Sequence, residues 1–145
     1  MVEVRPITEA DRGVWRDLWR GYLEFYESGV PEEVYASTFT RLLSAEPYDP
    51  CGFIAWEGGE AVGLVHYMEH RHCWKEANVC YLQDLFAPPK ARGQGVGRAL
   101  IEAVYAEADR RGFGAVYWLT ADDNAEARKL YDRIAKKTPF IKYQR

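Results

Sequence analysis

The most informative stretch of the chain is Arg92-Gly93-Gln94-Gly95-Val96-Gly97, which separates an apolar segment from an apolar-periodic run over residues 98–111. Glycine lets a backbone turn tightly and approach a ligand closely. The first N–H groups of the helix that follows have no intrahelical partners and carry a partial positive charge. The stretch therefore predicts a loop and a helix N-terminus that together hold a phosphate group.

The spacing of the glycines separates this loop from two other phosphate-binding loops. A P-loop needs a lysine and a hydroxyl residue directly after its last glycine, and the chain has neither there. A dinucleotide fingerprint that starts at Gly95 would need a third glycine where Leu100 stands. An Arg-x-x-Gly-x-Gly loop remains, which suits a pyrophosphate held without a catalytic metal, although such a stretch is often an ordinary strand-to-helix turn.

The composition predicts one folded domain over residues 1–145. Hydrophobic residues at 48% argue against disorder, and no apolar run reaches the length of a membrane span. The first residues lack the features of a signal peptide, so we expect a cytoplasmic protein with no membrane partner. A net charge of -3 gives no support to nucleic-acid binding and suits a cationic partner.

The cysteines and histidines give no clear metal motif. Cys51, Cys73 and Cys80 fit neither a disulfide framework nor a CxxC spacing, so we interpret them as small buried apolar residues. His70 and His72, next to Cys73, could be ligands, but no second ligand cluster exists. We therefore expect no metal.

Hydrophobic periodicity predicts an alternating series of strands and helices. A strand opens the chain at residues 2–7, Thr8 is expected to cap a helix that runs to Tyr26, and a second helix begins near Glu32. The later elements are a hairpin with strands at 51–56 and 61–68, a strand at 79–87, a helix ending at Gly112, a strand at 115–120, a helix from Asn124 and a closing strand at 140–143.

The order of these elements predicts an α/β fold with a mixed sheet. Residues 79–120 form a strand, loop, helix and strand, which is the pattern of a right-handed parallel crossover. The hairpin before it is antiparallel. Ligands of such sheets bind near the carboxyl ends of the parallel strands, where the glycine loop also lies.

Two blocks resemble the GNAT superfamily of N-acetyltransferases. The first is Tyr81-Leu82-Gln83-Asp84-Leu85-Phe86-Ala87, followed by Pro89 and residues 92–98, which match the family motif [RQ]-x-x-G-x-[GA]. The second runs from Val116-Tyr117-Trp118-Leu119-Thr120 through Asn124, Ala127, Leu130 and Tyr131. Within the superfamily the chain is similar to the histone/polyamine and spermidine/spermine acetyltransferases. The resemblance implies a mostly antiparallel sheet with helices on both faces and a splay between two parallel strands at the acyl-CoA site.

The resemblance also implies where acetyl-CoA binds. Its pyrophosphate would lie on the N–H groups of Gly93, Gln94, Gly95, Val96, Gly97 and Arg98, with added charge from Arg92 and Arg98. The pantetheine arm would run along Leu85, Phe86 and Ala87, and the second block would contact it through Asn124, Ala127 and Tyr131. Asn124 is expected to cap its helix as well.

Tyr131 is the catalytic residue that the resemblance implies, as the acid that protonates the departing thiolate. Its position on an apolar helix face equally suits a core tyrosine. The polyamine-type relatives carry a glutamate at the position of Gln83 as the base, and glutamine cannot accept a proton. Asp84 is adjacent, but neighbouring strand residues face opposite ways unless a bulge intervenes. We therefore expect deprotonation through ordered water, or an acceptor amine of lower pKa.

The leading hypothesis is direct acetyl transfer from acetyl-CoA to a polyamine-like or lysine-type primary amine, small or part of a peptide. Glu24 belongs to an acidic N-terminal region that could attract such an amine or could be a solvated face. A non-catalytic acyl-CoA-binding module is the alternative, and Gln83 is its best support. A nucleotide oxidoreductase is third. We expect a homodimer, and the sequence does not name the acceptor.

Overall fold

The computed structural model describes residues 1–145 as one five-stranded sheet covered by four helices. The strands are β1 (Glu3–Pro6), β2 (Cys51–Glu57), β3 (Glu60–His70), β4 (Val79–Phe86) and β5 (Val116–Tyr117). The helices are α1 (Arg12–Phe25), α2 (Glu32–Leu42), α3 (Val96–Arg111) and α4 (Ala125–Ile134), with short 3-10 turns at Glu9–Asp11 and Pro89–Ala91.

The sheet has the order β1-β2-β3-β4-β5, and every neighbouring pair is antiparallel except β4 and β5. Helix α3 connects those two parallel strands, as the crossover pattern predicts. The predicted fold class is therefore confirmed: a mixed, mostly antiparallel α/β sheet. No helix combines the length and the apolarity that a membrane crossing requires; the cytoplasmic location stays a prediction.

Two apolar cores lie on opposite faces of the sheet. One face is covered by α1 and α2, which bury Trp15, Trp19 and Phe39. The other is covered by α3, through Leu100 and Val104, with α4 packed beside it. Helices on both faces leave the carboxyl end of β4 and the start of α3 as the open edge of the fold.

Local sequence features explain the start of α1 and the β2–β3 turn. The backbone N–H of Thr8 donates to Oδ2 of Asp11 at 2.8 Å, so a reciprocal cap precedes α1. Gly58 and Gly59 have φ of 57° and 82°, the positive values that a tight hairpin turn requires. Both features agree with the sequence-based predictions.

A β-bulge interrupts β4 at Gln83. Asp84 pairs with His66, and Leu82 pairs with the next residue of β3, Tyr67, which leaves Gln83 without a partner. The bulge resets the alternation of side chains. Asp84 therefore faces α1 while Leu82 packs into the α3 core. This is the exception to strand alternation that the sequence alone could not locate.

Three expectations were wrong. Residues 140–143 form no strand, and Phe140, Ile141 and Tyr143 are exposed, since Pro139 lacks an N–H and so short an apolar segment buries little surface. Strand β5 is shorter than predicted because the chain leaves β4 after Tyr117. Cys73 lies exposed in the loop after β3 and is not a core residue; Cys80 is buried and Cys51 is half-buried.

Candidate acyl-CoA and amine site

The glycine loop (residues 92–98) presents a row of unpaired backbone donors. Gly93 and Gly95 adopt φ of 78° and 80°, and Gly95 is the N-cap of α3. The first N–H of the helix with a backbone partner belongs to Ala99, which donates to Gly95 at 3.0 Å. The six N–H groups of residues 93–98 donate to no backbone or side-chain acceptor of the chain. They lie at the N-terminus of α3, where an anion is stabilised.

Side chains of the loop hold it against the end of β4. Nε of Arg92 donates to the carbonyl of Ala87 at 3.0 Å, and its guanidinium lies 5.0 Å from the centre of the Phe25 ring. The Gln94 amide donates to the carbonyl of Lys90 at 3.1 Å. Arg98 is exposed and pairs with Glu102 on the same helix at 2.8 Å. Both arginines therefore remain beside the loop as positive charges.

Strands β4 and β5 part soon after they meet. They pair only at Cys80 with Val116 and at Tyr81 with Tyr117, so β4 has no partner on this side from Gln83 to its end. We call the resulting gap the strand opening. It is lined by Tyr22, Tyr26, Leu82, Gln83, Leu85, Trp118, Leu119 and Tyr131. The strand that lines it, β4, is followed in the chain by the glycine loop, and its free edge can accept an extended, amide-containing ligand as an added strand.

Tyr131 lies in the strand opening and is held by apolar contacts. Its ring packs edge-on against Trp118, with centroids 5.3 Å apart. Burial, with a smaller effect from Tyr26, raises the pKa of Tyr131 to about 12. The hydroxyl therefore carries its proton throughout the neutral range, as a proton donor must.

The three residues predicted to bind the acceptor lie in different surroundings. Gln83 is exposed and lines the strand opening together with Tyr131. Asp84 is buried against α1, where its Oδ2 accepts from Trp19 Nε1 at 3.3 Å. Glu24 is exposed on α1, where its backbone carbonyl accepts from the N–H of Glu27 at 2.9 Å and its carboxylate pairs with no other side chain. The structure thus brings Gln83 and Tyr131 together, places Asp84 behind them and leaves Glu24 at the surface.

Asn124 and Ala127 lie on α4 as predicted, but Asn124 does not cap the helix with its side chain. It occupies the N-cap position with ψ of 69°, outside the extended region that a capping side chain requires. Its amide instead donates to Oγ1 of Thr120 at 3.3 Å. Ala127 is half-buried on the same helix. The prediction that the Asn124 side chain caps α4 is therefore wrong. This side chain instead links the start of α4 to the segment after β5.

A buried histidine that the sequence did not indicate supports Asp84. Nδ1 of His66 lies 2.8 Å from Oδ2 of Asp84, and Nε2 accepts the indole N–H of Trp15 at 2.9 Å. Since an indole only donates, Nε2 bears the lone pair and Nδ1 carries the hydrogen. The sequence signal for this pair was the presence of Trp15 and Trp19 one helical turn apart on α1. A buried indole N–H needs a hydrogen-bond acceptor, so acceptors are expected to face this side of the helix.

Aromatic side chains lie in and next to the strand opening. The rings of Tyr22 and Tyr26 lie 5.1 Å apart, and those of Tyr81 and Tyr117 stack at 5.0 Å. Burial, and then the Asp84 carboxylate, raise the pKa of Tyr22, so this phenol stays neutral. Neutral aromatic rings near a carboxylate form surroundings that favour an organic cation. No cluster of three or more potential metal ligands occurs in the structure.

Comparison with known proteins gives the family of the chain. The model of the acetyltransferase (GNAT) family matches residues 14–135. The D-amino-acid N-acetyltransferase HPA3 of Saccharomyces cerevisiae is 39% identical, over 99% of this chain and 90% of that protein. The thialysine N-epsilon-acetyltransferase of Bos taurus is 32% identical, over 69% of this chain and 54% of that protein.

Solved structures share the fold. The aminoglycoside acetyltransferase AAC(6')-Iy, determined in complex with the bisubstrate analogue CoA-S-monomethyl-acetylneamine, superposes with a TM-score of 0.86. The superposition covers 100% of this chain and 97% of that one, at 21% identity. With the family match over most of the sequence, the chain belongs to the acetyltransferase (GNAT) family and is an acyltransferase.

Proposed function

We propose that this protein transfers the acetyl group of acetyl-CoA to the primary amine of a small molecule, of polyamine or amino-acid type. The observation that carries the proposal is the row of six unpaired N–H groups at residues 93–98, which follows in the chain the strand, β4, that lines the strand opening together with Tyr131. A diphosphate needs several converging donors, and a pantetheine arm needs a free strand edge. The chain supplies the donors at residues 93–98 and the free strand edge in β4, which precedes them.

The donor would bind with its pyrophosphate on the glycine loop and its pantetheine along Leu85, Phe86 and Ala87. Arg92 and Arg98 would add positive charge without direct bidentate contacts, because both already have partners. Asn124 and Ala127 would border the arm from α4. The thioester would then lie in the strand opening, beside the hydroxyl of Tyr131.

Transfer would proceed by direct attack in a ternary complex. The amine nitrogen forms a bond to the thioester carbon, the carbon–sulfur bond breaks, and the departing thiolate takes the proton of Tyr131. The proton that the new amide nitrogen releases restores the Tyr131 hydroxyl. No cysteine lines the strand opening, which favours direct attack over an acyl-enzyme. Burial raises the pKa of Cys80 to about 12 and makes it a poor nucleophile.

A cationic acceptor is supported by charge and by the names of the relatives. The net charge is -3, and Asp84 lies behind the aromatic wall of the opening. Relatives include a D-amino-acid and a thialysine acetyltransferase, whose acceptors are small amines. The non-catalytic alternative rests on Gln83 alone, whereas these relatives are named as enzymes.

An acceptor screen tests the proposal. The protein is incubated with acetyl-CoA and separate pools of polyamines, D-amino acids, L-amino acids, aminoglycosides and lysine peptides, and products are detected by mass. We expect a gain of one acetyl group on a small amine. Acetylation of lysine peptides alone would refute the small-molecule acceptor, and preferential calorimetric binding of NAD over acetyl-CoA would refute the donor.

We also infer a homodimer. The exposed apolar side chains of Phe140, Ile141 and Tyr143 lie together in the C-terminal segment and support it. Light scattering after gel filtration measures the mass directly. A mass of one chain, 16.7 kDa, at micromolar concentration would contradict the inference.

A further inference from the structure

The base that removes the proton of the acceptor ammonium is not supplied by Gln83, since an amide cannot take up a proton. Asp84 is a poor candidate because it is buried and its Oδ2 already accepts from His66 and Trp19. Another pair of side chains lies at the mouth of the strand opening, on the same sheet face as Asp84. The pair is Tyr117 and His70.

Tyr117 lies where the two parallel strands begin to part. It is the last residue of β5 paired with β4, and its ring stacks on that of Tyr81 at 5.0 Å with an interplanar angle of 22°. The next two residues, Trp118 and Leu119, line the opening, as does Gln83, two residues beyond Tyr81. The phenol is therefore fixed at the apex of the gap and is 41% exposed.

His70, the last residue of β3, is oriented as a proton acceptor for that phenol. Its Nε2 lies 2.7 Å from the hydroxyl of Tyr117, and its Nδ1 lies 2.7 Å from the carbonyl oxygen of Arg71. A carbonyl only accepts, so Nδ1 carries the hydrogen and Nε2 holds the lone pair that receives the phenol O–H. The hydrogen bond to the Arg71 carbonyl thus selects the tautomer with a free lone pair on Nε2, which a base requires.

We propose that Tyr117 and His70 form the proton relay that deprotonates the acceptor amine. An N–H bond of the ammonium breaks as an O–H bond forms on Tyr117, while the original phenol proton moves to Nε2 of His70. The neutral amine then attacks the thioester, and the imidazolium releases its proton to solvent. The relay rests on the proposed acetyl transfer and adds the base that Gln83 leaves missing.

The surroundings of the pair suit a relay. The ionisable groups that face Tyr117 are Tyr81 and Cys80 of β4 and His70 of β3. Burial, with smaller effects from Tyr81 and Cys80, raises the pKa of Tyr117, so the phenol passes a proton on and does not hold a negative charge. The guanidinium of Arg71 lies 6.0 Å from the centre of the Tyr48 ring. No carboxylate hydrogen-bonds to either member of the pair.

Acceptors of different pKa test the relay. Tyr117→Phe keeps the stack on Tyr81 and removes the hydroxyl, and His70→Gln removes the base. At neutral pH we expect both variants to lose roughly a hundredfold in kcat/KM with an alkylamine, which is protonated and needs a base. With a fluorinated analogue of the same amine, whose pKa lies below the assay pH, we expect little loss, because that amine is already neutral.

Matched controls are Tyr143→Phe and His72→Gln, which alter the same residue types outside the opening and should leave both rates unchanged. Circular dichroism and acetyl-CoA affinity confirm that each variant is folded. An equal loss with both amines, or no loss with either, would overturn the relay and leave the proposed function standing. Absence of acetylation of any amine by the unaltered protein would instead overturn the function itself.

Discussion

Nδ1 of His66 lies 2.8 Å from Oδ2 of Asp84, and the two residues are 3% and 7% exposed. They face each other across β3 and β4 where the bulge begins. Trp15 and Trp19 donate to the same pair from successive turns of α1. This network fixes α1, and with it Tyr22, which lines the strand opening, to the bulge at Gln83.

Removing His66 from this network should destabilise the fold. His66→Leu leaves the indole of Trp15 without a partner in the interior and leaves the Asp84 carboxylate with the Trp19 indole alone, at a cost of about 3 kcal/mol. Urea unfolding measures the loss. His72→Leu, in the loop after β3, serves as the control and should change stability by less than about 0.5 kcal/mol. Equal stability of the two variants would show that the network contributes little.

The glycine loop should fail when Gly95 acquires a charged side chain. Gly95→Glu places a residue with a side chain in the left-handed conformation, which costs about 1 to 2 kcal/mol of stability. It also places a carboxylate where the diphosphate would bind. We expect acetyl-CoA affinity to fall by well over tenfold, equivalent to more than about 1.4 kcal/mol, in calorimetric titration.

Gly112→Glu is the matched control for that variant. Gly112 has φ of 76° and open space around it, as Gly95 has, but it lies at the opposite end of α3. The Gly112→Glu protein should lose a similar amount of stability and keep its affinity for acetyl-CoA. Unchanged affinity in a folded Gly95→Glu protein would remove the loop from the donor site.

Helix capping should differ between α1 and α4. Asp11→Ala removes the acceptor of the Thr8 N–H and should cost about 1 kcal/mol. Asn124→Ala removes no cap hydrogen bond and should cost less than about 0.5 kcal/mol. Thermal unfolding of the two variants side by side distinguishes them. A larger loss for Asn124→Ala would mean that its amide contact with Thr120 matters more than the cap of α1.

Stability should fall in alkaline solution through Cys80. Its folded pKa is raised by burial to about 12, whereas an unfolded cysteine titrates near about 8.5. Between these values the unfolded chain binds fewer protons than the native one, so the free energy of unfolding decreases by up to about 1.4 kcal/mol per pH unit. Below pH 8 this effect is absent. Cys80→Ala should flatten the decline measured by urea unfolding between pH 9 and 10, and Cys73→Ala, at an exposed site, should not.

The sequence predicted those parts of the site that depend on local pattern. The glycine loop, the start of α3 and the β2–β3 hairpin follow from residues close in the chain. The bulge at Gln83 and the His66–Asp84 pair depend on the register of β3 against β4, which no local pattern reports. The strand predicted at 140–143 is absent although its residues have strand character. Local pattern could not show that no neighbouring strand pairs with them.

Thiol release measures whether the protein acetylates an amine with Tyr131 as the proton donor. Free CoA is measured after mixing acetyl-CoA with the amine panel, for the unaltered protein and for Tyr131→Phe at equal acetyl-CoA saturation. We expect amine-dependent CoA release that falls roughly a hundredfold in kcat in the variant, with acetyl-CoA affinity retained. Binding of acetyl-CoA without release by any amine, or equal kcat in both proteins, would contradict it.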